Sequence, residues 1–61
     1  MKNKITIVNF SVLKVWSVYF NGQLKHRGNI NPASLRYRAK CVENLKKIFP
    51  DQETEVVITN Y

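Results

Sequence analysis

The sequence predicts an α+β domain: a small antiparallel-rich sheet of three or four strands, in the order β-β-β-α-β, with a single helix packed on one face. Three observations predict it. Runs of β-branched and aromatic residues fill both ends of the chain, Asn21-Gly22 interrupts the first half, and Asn31-Pro32 opens a stretch with helical apolar spacing. A chain of 61 residues has room for one domain, 1–61.

The elements follow in order. "KITIVNF", residues 4–10, reads as a first strand, and "VLKVWSVYF", Val12 to Phe20, as a second. Neither Gly nor Pro separates them, so residues 4–20 form two strands with a bend near Ser11, or one long bent strand. Asn21-Gly22 suits a type I′ turn, which needs positive φ at both central positions. Gln23 to Ile30 is then the third strand. Asn31 can cap the first free helical N–H groups, Pro32 is preorganised for the first helical position, and Pro50 stops the helix near Phe49. Leu35, Ala39, Val42, Leu45 and Phe49 form its core stripe, widened by Tyr37, Cys41 and Ile48. Arg38 falls inside that apolar arc, where it must snorkel or find a partner. Thr54 to Tyr61 makes the last strand, with Val56 and Ile58 on one face and Val57 on the other.

A two-residue turn at Asn21-Gly22 sets a hairpin register. It pairs Phe20 with Gln23, Tyr19 with Leu24, Val18 with Lys25, Ser17 with His26, and Trp16 with Arg27. One face then carries Leu13, Val15, Ser17 and Tyr19 beside Leu24, His26, Gly28 and Ile30, and is expected to receive the helix. The other carries Lys14, Trp16, Val18 and Phe20 beside Gln23, Lys25, Arg27 and Asn29. Aromatics interleaved with cations are what a nucleic-acid platform uses: rings stack on bases at about 1–3 kcal/mol each, and cations neutralise phosphates. Lys14, Trp16, Phe20, Lys25 and Arg27 are therefore the candidate contacts, with Arg36 and Lys40 of the helix as a phosphate-tracking row. A bland account of the same face is a Trp16–Arg27 cation–π pair that shields the sheet.

Charge points the same way. The chain carries a net +6, and its four acids, Glu43, Asp51, Glu53 and Glu55, all follow residue 42. Before them stand Lys2, Lys4, Lys14, Lys25, Arg27, Arg36, Arg38 and Lys40 with no acid at all. Such a field attracts nucleic acid or an acidic protein surface.

Other chemistry finds little support. One cysteine, Cys41, makes no internal disulfide, and with one histidine it falls short of a zinc set. Cys41 reads as a small buried residue compatible with a reducing cytoplasm. His26 reads as a packed or rim residue. No nucleophile–base pair, carboxylate dyad or phosphate loop appears, so the expectation is a non-enzymatic protein without cofactor or metal. No apolar run is long enough to span a bilayer, and the N-terminus lacks a secretory pattern.

The stretch "WSVYFNGQLKHRGNINPASLRYRAKC", residues 16–41, resembles three-stranded DNA-binding domains of the integrase-arm type. The shared features are an aromatic strand, an Asn-Gly turn, a basic strand ending near Gly28, and a helix. The resemblance implies sheet-type major-groove binding; Asn-Pro at the helix start and the extra C-terminal strand depart from it. Two functions compete. The first is a nucleic-acid-binding module. The second is a small inhibitor or antitoxin-like protein, of the kind phages use to block a host enzyme, docking through the same face or an open sheet edge. A homodimer fits the broad apolar arc and the exposed edges.

Overall fold

β-branched residues alternating with polar ones build β1, Lys2–Phe10, whose Ile5 and Ile7 point to one side. A turn over residues 11–14 then returns the chain into β2, Val15–Phe20. Lys14 closes that turn in the left-handed region (φ 56°), and its carbonyl accepts from the Ile30 N–H at 2.8 Å. Residues 4–20 are thus two strands, and the second starts three residues later than its apolar run suggests. The structure, a computed structural model, describes residues 2–61.

Asn21 and Gly22 have φ of 51° and 86°, as a type I′ turn requires, and lead into β3, Gln23–Asn29. Helix α1 spans Pro32–Lys46. The Asn31 side chain caps it by accepting from the Ser34 N–H at 2.8 Å. It ends about a turn before Pro50, because proline disfavours helical backbone at the residue before it. Phe49, released from the helix, stacks on Phe20 at 6.2 Å between ring centroids. β4, Glu53–Asn60, completes a mixed sheet of order β3-β2-β1-β4. β1–β2 and β2–β3 are antiparallel, while β4 lies parallel to β1. The fold is α+β, with the helix packed on one face of a four-stranded sheet.

The hairpin corrects the predicted register. Phe20 faces Gln23 and Tyr19 faces Leu24 as expected, but a bulge at Lys25 then shifts the ladder by one. Val18 faces His26, Ser17 faces Arg27, and Trp16 faces Gly28. The core is therefore on the side expected to be open. Trp16 and Val18 are fully buried and Phe20 is 8% exposed, packed with Ile5, Ile7 and Leu45 and flanked by Ile30, Leu35 and Val42. The reason is volume. Trp, Val and Phe bury far more apolar surface than Val15, Ser17 and Tyr19 would. β3, by contrast, has His26, Gly28 and Ile30 to offer the helix. An unbroken ladder would place these two sets on opposite faces, and one extra residue at Lys25 puts them on the same face.

The helix is rotated slightly from its predicted stripe. Cys41 and Leu45 are buried, while Ala39 is exposed and Tyr37 is half exposed. Arg38 lies 5.8 Å from the centre of the Trp16 ring and donates to Asn9 Oδ1 at 2.8 Å. Trp16 does have a cation partner, then, but it is Arg38 rather than Arg27. The indole N–H donates to Ser34 Oγ at 3.0 Å, so the buried ring keeps no orphan donor. Asn3, also buried, donates to Gln52 Oε1 and accepts from the Asn21 amide, tying the hairpin turn to the start of β1 and to the residue just before β4, all at one end of the sheet.

Candidate nucleic-acid interface

The predicted site residues divide between two sides of the molecule. Trp16 and Phe20 lie in the core under the helix and cannot stack on a base; their platform role is corrected by their burial. Arg27 is exposed on the opposite face of the sheet, in a row with Ser17, Val8 and Thr59. Lys25 is exposed at the bulge and Lys14 at the β1–β2 turn. Arg36 and Lys40 are exposed on the outer side of the helix, one turn apart. The β3 cations and the helix cations are therefore not one patch.

The uncovered sheet face carries its own aromatics. Across it, Val57, Thr6, Tyr19 and Leu24 form one row, and Thr59, Val8, Ser17 and Arg27 the next. Beyond these, Phe10 pairs with Val15, and Tyr61 stacks on Phe10 at 5.5 Å with the rings 14° apart. Tyr61 is pinned there by backbone bonds to Asn9 and Ser11. Lys4 and Glu55 sit side by side at the other end of this face. An aromatic–basic surface thus exists, built from Tyr19, Phe10 and Tyr61 with Arg27 and Lys4. Comparing the apolar volume of the two parities in residues 15–20 could have found it.

Most of the exposed cations stand free of acids. Among the described residues the one ion pair joins Lys46 to Glu43 at 3.6 Å. Lys14, Lys25, Arg27, Arg36 and Lys40 have no carboxylate against them, so their field reaches solvent. No three of His, Cys, Asp and Glu gather to hold a metal among these residues, and no helix is long and apolar enough to cross a membrane.

His26 and Tyr37 meet edge to face at 6.1 Å on the helix side of β3. The Tyr37 hydroxyl is held above its ordinary value near 10, first by hydrogen bonding with the Cys41 side chain and then by the charge of that thiol when ionised. An unfolded tyrosine loses its proton at lower pH than this folded one, so unfolding releases a proton in that window. Stability is therefore expected to fall as pH rises from about 10 through the raised value. Cys41→Ala should lower the pH at which Tyr37 ionises, read as tyrosinate absorbance against a Tyr37→Phe control. Tyr37 ionising at the same pH with and without the Cys41 thiol would refute the contact.

Against known protein families, curated proteins and solved structures, the chain shows no match.

Proposed function

We propose that the protein is a non-enzymatic nucleic-acid-binding module that lays a single strand across the open face of its sheet. The observation behind this reading is the combination of Tyr19 and the Phe10–Tyr61 stack with the unpaired Arg27 on an uncovered face. The chain's net +6 adds the attraction. Tyr61 is exposed and Tyr19 and Phe10 are partly so, and every base has a face to stack on such rings, so this binding is tolerant of sequence. Arg27 and Lys25 on β3 supply phosphate contacts along one flank. Arg36 and Lys40, on the other side, contribute to the long-range field rather than to this surface. Such a module acts in the cytoplasm and needs no cofactor.

The test is fluorescence anisotropy with single-stranded oligonucleotides over a salt series. Binding should weaken log-linearly as salt rises. Arg27→Glu should weaken it several-fold and lower the salt slope by about one, and Tyr19→Ala should remove about 1–3 kcal/mol. Arg36→Glu should change affinity by less than about twofold and leave the salt slope in place. A loss on Arg36→Glu equal to that on Arg27→Glu would move the strand to the helix side. No binding even at low salt would end the reading.

A small inhibitor or antitoxin-like protein, which docks on a larger protein and blocks it, is the second reading. One observation favours it: Val12 and Leu13 at the β1–β2 turn are 91% and 70% exposed, an apolar tip with nothing covering it. A stoichiometric protein partner retained after nuclease treatment, and lost on Leu13→Asp, would decide for this reading.

A further inference from the structure

The two edges of the sheet are not equivalent. β3 is interrupted by the bulge and carries Lys25 and Arg27, features that discourage pairing with another strand. β4 has no bulge, proline or lysine, and its sequence is ETEVVITN. Tyr61, just past it, turns both backbone groups toward β1: its N–H reaches the Asn9 carbonyl and its carbonyl accepts from the Ser11 N–H. By strand alternation, Thr54, Val56, Ile58 and Asn60 then aim their N–H and C=O groups outward. The helix packs chiefly on β3 and β2. The helix-facing side of β4 is consequently bare, with Val56 38% and Ile58 58% exposed.

We infer that β4 is a self-association edge, where two copies pair antiparallel about a two-fold axis at Val57 and join their sheets into one. This inference is independent of the nucleic-acid reading. Two features argue for a second copy as the occupant. First, all the chain's cations lie outside residues 53–60, whose only charges are Glu53 and Glu55. Two copies of net charge +6 repel least when they meet along this edge. Second, the strand is complementary to itself in the antiparallel sense. With Val57 opposite Val57, each Val56 faces an Ile58 and each Thr54 an Asn60, all four being the outward-bonding residues. Glu55 then faces Thr59 and Glu53 faces Tyr61, so no acids meet. Sliding the ladder by one repeat sets Ile58 against Thr54, or Val56 against Asn60, and loses an apolar pair.

Sedimentation equilibrium over a wide concentration range tests this. The wild type should dimerise reversibly. Ile58→Lys, at a position exposed in the monomer, should weaken dimerisation by at least about tenfold. Val57→Cys should form a disulfide-linked dimer with oxidised glutathione, since Val57–Val57 would be a non-hydrogen-bonded pair, the closer kind, with Cβ atoms near the ~4.5 Å upper end of the disulfide range. Thr59→Cys, placed opposite Glu55, should not. A monomeric wild type at every concentration overturns the inference. So does a dimer that Ile58→Lys leaves intact, which would be built on the open sheet face or the helix. Equal cross-linking by both cysteine variants overturns it as well, and if Ile58→Lys fails to fold, the cysteine pair decides.

Discussion

Trp16→Ala is expected to leave the chain largely unfolded at room temperature. The indole is fully buried, donates to Ser34 and carries Arg38 on its face. Removing a buried tryptophan costs about 3–5 kcal/mol. A domain of this size holds about that much in total, so one substitution consumes the whole margin. It also leaves the Ser34 hydroxyl and the Arg38 guanidinium without their shared neighbour. Loss of the cooperative denaturation transition, followed by circular dichroism, is the measurement. Trp16→Phe keeps most of the apolar volume and loses the hydrogen bond to Ser34, so it should fold with a lowered midpoint. Trp16 is the sole tryptophan, and its emission in the native wild type should be that of a ring shielded from water. A Trp16→Ala chain that melts within a few degrees of wild type would place the ring outside the core.

Gly28→Ala is expected to cost about 1–3 kcal/mol, large for a single methyl group. A Cβ at Gly28 would lie 2.6 Å from both Ser34 Oγ and Trp16 Cζ2, and 2.8 Å from Trp16 Cε2. Neither neighbour yields cheaply: the indole is enclosed by the core, and turning the Ser34 hydroxyl away breaks its hydrogen bond from the indole N–H. In a Trp16→Phe background the added methyl meets no such ring atoms, so the penalty should shrink. That difference is the coupling energy a double-mutant cycle reads. Equal penalties in both backgrounds would show that β3 and the indole are not in contact. Because Gly28 faces Trp16 only in the bulged register, the same cycle tests the register.

Much of this architecture is local chemistry and could be read along the chain. Asn21-Gly22 needs positive φ, and the turn has it. Asn31 offers a capping oxygen one residue before Pro32, and the helix starts there. Alternation in residues 54–60 assigns Val56 and Ile58 to one face and Val57 to the other, since side-chain direction in a strand follows parity alone. The charge asymmetry is likewise a property of the sequence.

What the chain could not settle locally was which parity of β2 faces the helix. That choice compares Trp16, Val18 and Phe20 with Val15, Ser17 and Tyr19 only after β1 brings Ile5 and Ile7 alongside. The apolar volume buried under the helix then outweighs the undisturbed ladder, and the bulge at Lys25 is the cost of bringing both strands into agreement. The same step removed Trp16 and Phe20 from the candidate surface and put Tyr19, Phe10 and Tyr61 there. Likewise, only the crossover from β3 through α1 to the far side of β1 makes β4 an edge, and a strand's unused hydrogen bonds depend on what lies beside it. Local preference sets turns, caps and alternation; the competition for a single buried face decides which residues are left for a partner.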